Sequence, residues 1–122
     1  MIEILPQTQA DLLAVKATDR LTTDDYETVF IPRLNDLIAQ HGKARILLQL
    51  ADDFHGWEPG AIWDDAKVGI QHRHDFLKVA VVTGQKWIDW SVKLGAHFMD
   101  GQVKTFDANK MDEALQWVQN RS

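Results

Sequence analysis

At 122 residues the chain is close to the commonest size for one domain, and residues 1–122 read as a single domain with no linker. Hydrophobic residues at 45% and charged residues at 25% exclude a disordered chain, and the absence of cysteine excludes disulfides, thiolate zinc sites and a cysteine nucleophile. A net charge of -5 and a pI near 5.4 exclude a nucleic-acid footprint and weaken attraction to anionic lipid.

Residues 2–5 form a short apolar run closed by Pro6, Gln7 and Thr8, and residues 12–17 (LLAVKA) follow closely enough to pair with it as a hairpin. Thr22, with Asp25 three residues on, is an N-cap signature for a helix that places Tyr26, Val29, Phe30, Leu34, Leu37 and Ile38 on one face and stops at Gly42. Pro32 lies inside that helix, where it removes one donor and crowds the carbonyl of Thr28, so a kink is expected. Residues 44–50 (ARILLQL) read as a central strand covered on both faces. After the loop 51–57, Pro59 opens a second helix to about His72, with Ile62, Trp63, Ala66, Gly69 and Ile70 on one face. Residues 78–83 form another buried strand, 85–98 a third helix, 103–106 the last strand and 109–120 a closing helix. The alternation predicts an α/β fold: a mixed five-stranded sheet covered by about four helices, with mostly parallel strands after the opening hairpin. No apolar run reaches the roughly 20 residues needed to cross a bilayer, and the N-terminus lacks a signal-peptide layout, so a cytoplasmic location is expected.

Several segments carry a family resemblance: Leu21, Thr22, Thr23, Asp24, Asp25, Tyr26 and Glu27, with Pro32 and Leu34; His41, Gly42 and Lys43; and Val79, Ala80, Val81 and Val82. They continue with Lys86, Trp87 and Trp90, then residues 103–107 (VKTFD), then residues 114–117 (ALQW). In this order the sequence resembles the STAS domain of anti-sigma-factor antagonists, and more closely a family of small bacterial SpoIIAA-like proteins. The resemblance implies a single SpoIIAA-like domain. The family is also similar in overall fold to CRAL-TRIO lipid-binding domains, which implies a pocket for an apolar ligand. STAS antagonists carry a phosphoacceptor serine after the central strand. Here that region reads Asp52, Asp53, Phe54, His55, Gly56 and Trp57, and the chain's serines are Ser91 and Ser122. The resemblance therefore implies the architecture without the phosphoserine switch.

Open sheets of this kind collect ligands beyond the C-terminal ends of their parallel strands. That places Asp52, Asp53, His55 and Trp57 of one loop opposite Lys86, Trp87 and Trp90 of another, provided that the two buried strands are neighbours. The expected ligand is small and apolar or amphiphilic, with an anionic head group admitted. On the third helix, residues such as Ile88, Leu94 and Phe98 widen the apolar arc to roughly 200°, against the stripe of about 100° that docking on one face requires. The excess predicts either a movable cover over the ligand or an interaction helix, with a homodimer or a peripheral membrane contact as partners. Trp63 and Trp117 are expected in the core. Gln71-His72-Arg73-His74, and Asp52 and Asp53 with His55, lack the spacing of a metal site, and no phosphate loop, nucleophile elbow or zinc helix is present. The sequence thus predicts a non-catalytic module with neither metal nor cofactor.

Overall fold

The computed structural model describes residues 1–71, 74–85 and 102–120. Five strands form one sheet in the order β1-β2-β3-β4-β5: Ile2–Ile4, Leu12–Ala17, Ala44–Leu50, Phe76–Val82 and Gln102–Phe106. The first pair is antiparallel, the expected hairpin, and the remaining three pairings are parallel. Among the described residues four α-helical segments accompany them: α1 (Thr23–Asp25), α2 (Ile31–His41), α3 (Pro59–Gln71) and α4 (Met111–Gln119), with a π-helical turn, Tyr26–Phe30, joining α1 to α2. The predicted helix 85–98 falls, from residue 86 on, outside the described residues, and Gln85 itself is not helical.

Thr22 caps α1 as the sequence predicts. Its hydroxyl accepts from the Asp25 N–H at 3.0 Å, and the Asp25 carboxylate accepts from the Thr22 N–H at 2.9 Å. The ammonium of Met1 also lies 3.0 Å from that carboxylate. Burial works against ionisation of Asp25, but the hydrogen bonds from Thr22 and the Met1 ammonium outweigh it, so the carboxyl titrates below its ordinary value. A depressed carboxylate contributes stability above the unfolded-state value, near pH 4, and loses it as pH falls through the folded-state value. Thr22→Ala is expected to cost about 1 kcal/mol at pH 7 in urea denaturation. Asp25→Asn should destabilise at pH 7, and its deficit should close as the pH is lowered through the titration of Asp25. A gap that does not change with pH would contradict this assignment.

At Pro32 the structure resolves the expected disturbance in a particular way. The N–H of Ile31 bonds to the carbonyl of Tyr26, five residues back, and α2 restarts with Pro32 in its first turn. Pro32 therefore stands where a helix has no use for the missing donor. Gly42 ends α2 with φ of 76°, a left-handed value that suits glycine.

Strand alternation sends two sets of side chains to opposite faces of the sheet. On one face Leu13, Val15, Ile46 and Phe76 pack with Leu34 and Leu37 of α2, and Ala17, Leu50 and Val81 pack with Tyr26, Phe54 and Ala61. On the other, Leu12, Ala14, Leu47, Ala80 and Val82 pack with Ala114 and Val118 of α4. The central strand β3 is thus covered on both faces, as its apolar run predicts. Trp117 packs at the edge of the second core.

Trp63 departs from expectation. It is 66% exposed, and Ile62 is 56% exposed, while Ala61 and Asp64 turn inward. The reason lies at Gly60, where a Cβ would collide with the hydroxyl of Thr23. That close approach of α3 to α1 sets the helix rotation, so the stripe through residues 60, 61 and 64 faces inward and Ile62 and Trp63 face solvent.

Candidate functional site

Strands β2, β3 and β4 run parallel, so their C-terminal ends open on one edge of the sheet. Register aligns Lys16 with Gln49 and Gln49 with Val82, a row across three strands on the face covered by α4. Above this row lies a crevice of about 480 Å³, lined also by Leu50, Ala51, Asp52, Asp53 and Ala108. Its floor is part polar, with Lys16 and Gln49 half-buried and Val82 buried. The side chains of Lys16, Gln49 and Asp52 make no hydrogen bond or ion pair among the described residues. Glu3 stands opposite Lys16 across the β1–β2 pairing without forming an ion pair with it.

The rim is held by backbone bonds. Ala51 donates to the Ala17 carbonyl at 3.0 Å, His55 to the Asp19 carbonyl at 2.7 Å, Leu21 to the Gly56 carbonyl at 2.9 Å and Glu58 to the Leu21 carbonyl at 2.9 Å. The loop after β3 is thereby laced to the segment that leaves β2. Asp19 adopts φ of 59° and its N–H reaches Asp53 Oδ1 at 3.4 Å. The second loop joins through Gln85, whose Nε2 donates to the Phe54 carbonyl at 2.8 Å. Residues 83–85, the described part of the segment after β4, therefore meet the loop after β3, because their strands are adjacent.

The proposed site residues separate into three groups. Asp52 and Asp53 line the crevice. His55 and Trp57 do not. The His55 Nδ1 lies 3.3 Å from Asp19 Oδ1 and 3.3 Å from the Asp53 carbonyl, in solvent. Trp57 turns toward the opposite face, where its indole N–H donates to the Tyr26 hydroxyl at 3.0 Å and its ring meets Phe54 edge-on at 5.1 Å. Lys86, Trp87 and Trp90 lie outside the described residues, as do Ile88, Leu94 and Phe98 of the interaction helix. The sequence reading missed Lys16 and Gln49. The one available signal was that each is a polar residue near the C-terminal end of a mostly apolar strand, LLAVKA and ARILLQL.

A family model described as SpoIIAA-like, the family expected from the sequence, matches residues 12–119. The chain belongs to the SpoIIAA-like family. The crystal structure of an uncharacterized protein with a SpoIIAA-like fold from Shewanella loihica is similar to it, with a TM-score of 0.76 and 30% identity. That similarity covers 96% of this chain and 93% of the other. Among curated proteins, none matches. The SpoIIAA-like fold suggests a STAS-type regulatory or binding module. In this SpoIIAA-like chain the loop after β3, residues 51–58 (ADDFHGWE), holds no serine or threonine hydroxyl. Among the described residues, no helix is long and apolar enough to cross a membrane, and no group of three or more His, Asp or Glu could hold a metal ion.

Proposed function

We infer that this protein is a non-catalytic binding or regulatory module whose ligand occupies the crevice above Lys16, Gln49 and Val82. The observation that carries this reading is the crevice itself. Its volume of about 480 Å³ lies in the range of small-molecule sites, and it opens where sheets of this class bind ligands. The non-catalytic part rests on His55, whose imidazole is directed at Asp19 and a carbonyl rather than at a hydroxyl nucleophile. The predicted helix 85–98, as a movable cover over an amphiphilic ligand, draws support from the wide apolar arc of that segment in sequence. It also draws on Gln85, which ties the start of the segment to the rim at Phe54.

Amide chemical-shift mapping against a broad panel of metabolites and short-chain amphiphiles tests this reading. Shifts are expected to cluster at residues 16–17, 49–53, 82–85 and 107–108, and Lys16→Ala should weaken binding of an anionic ligand about tenfold. A panel that leaves these amides unmoved overturns the site.

A second reading, an interaction module, is favoured by the exposed Ile62 and Trp63 on α3. A second copy of the chain is its preferred partner, since the charge of -5 opposes anionic membranes. Sedimentation of a dimer that Trp63→Ala dissociates would support it, a monomer that floats with vesicles would move the assignment to a membrane surface, and a monomer that does neither would remove it.

A further inference from the structure

The crevice has a charge pattern that selects among ligand chemistries. We propose that it takes a small zwitterion, with a carboxylate or phosphate group on Lys16 and Gln49 and an ammonium group on Asp52 and Asp53; this rests on the crevice being the binding site. Lys16 supplies three N–H donors and Gln49 an amide, side by side on the floor in adjacent strands. Asp52 and Asp53 supply only acceptors, on the loop that forms the wall. Asp53 spends one oxygen on the Asp19 N–H at 3.4 Å, a long contact, and Asp52 spends none among the described residues. Among the described residues the donors on the floor and, apart from that one Asp53 oxygen, the acceptors on the wall are therefore uncommitted.

Each simpler ligand leaves part of this set unanswered. An apolar molecule would cover Lys16 and Gln49 without replacing their water, and each polar group buried unpaired weakens binding roughly tenfold. A plain anion would meet Lys16 but face two carboxylates, and a plain cation would meet the carboxylates but face the ammonium of Lys16. A molecule with both charges satisfies floor and wall together, and its two ends fix its orientation.

Titration calorimetry with six probes separates these cases: 4-aminobutyrate and phosphoethanolamine as zwitterions, butyrate and methyl phosphate as anions, butylammonium as the cation, and decanoate as the amphiphile. The zwitterions are expected to bind at least tenfold tighter than either matched single-charge probe. Lys16→Met should reduce zwitterion affinity at least tenfold, and Asp52→Asn with Asp53→Asn should remove the preference for the ammonium-bearing member of each pair. Far-ultraviolet circular dichroism confirms that the variants remain folded. Decanoate binding at the crevice amides without zwitterion binding overturns the ligand class and leaves the site standing. Silence from all six probes also overturns the ligand class, and silence across the wider panel as well removes the site.

Discussion

Arg45→Met is expected to destabilise the protein by about 3–5 kcal/mol, the range found when one partner of a buried charged network is removed. Arg45 is only 6% exposed, within a mostly apolar strand. Its Nη1 donates to the carbonyls of Val118 at 2.7 Å and Asn120 at 3.1 Å, and its Nε to Asp11 at 3.3 Å. Lys78, the neighbouring strand's partner in register, donates to the carbonyls of Trp117 at 3.0 Å and Asn120 at 2.9 Å and sits over the Trp117 ring. The last carbonyls of a helix have no partner within it and carry the negative end of its dipole. Two buried cations from adjacent strands answer them, and so fasten α4 to the sheet. Urea denaturation of Arg45→Met, Lys78→Met and the double variant measures the clamp. The double variant should cost less than the sum, because both side chains share the Asn120 carbonyl. A loss below about 1 kcal/mol for Arg45→Met would show that water satisfies these carbonyls equally well.

Phe54→Ala is expected to cost about 3–5 kcal/mol, the range for a large aromatic removed from a packed core. Phe54 is 2% exposed and packs with Leu21, Tyr26, Leu50, Ala61 and Val81. It anchors the whole loop, edge-on to Trp57, while its carbonyl receives Gln85. The amides of His55 and Gly56 should therefore exchange faster in the variant than those of β3, a local opening superimposed on the global loss. By contrast, Trp63→Ala removes an exposed ring and should change stability by no more than about 0.5 kcal/mol. Thermal and urea denaturation of the two variants side by side checks both values. A large loss at Trp63 would mean that α3 is rotated so as to bury that ring.

The two predictions bear on function through one geometry. Phe54 holds the wall of the crevice, and the Arg45–Lys78 clamp holds the helix that begins beyond Ala108 on its other side. On the proposed function, loosening either should weaken ligand affinity without changing a residue that lines the crevice, because a site whose floor and wall are fixed beforehand binds at lower cost.

What the amino-acid order determined by itself is local. Thr22 and Asp25 close a capping box over three residues, Gly42 supplies a left-handed stop, Pro59 opens α3, and the apolar runs at β2 and β3 mark strands within a residue of their observed limits. Each of these signals is complete within one turn or one strand, so no distant contact is needed to read it. The edge that would hold a ligand was legible for the same reason, since parallel strands must end together, and Asp52 and Asp53 follow one such end. The tertiary structure alone decided which side chains meet there. Lys16 and Gln49 become neighbours only when β2 and β3 pair in their particular register, 33 positions apart. The same holds for Arg45, whose buried charge is tolerable because a helix end 73 and 75 positions later supplies its acceptors. Trp63 faces water because Gly60 lets α3 approach Thr23, a contact between elements that hydrophobic periodicity along one helix does not encode. Periodicity states that a helix has an inner face; which face is inner is set by what it packs against.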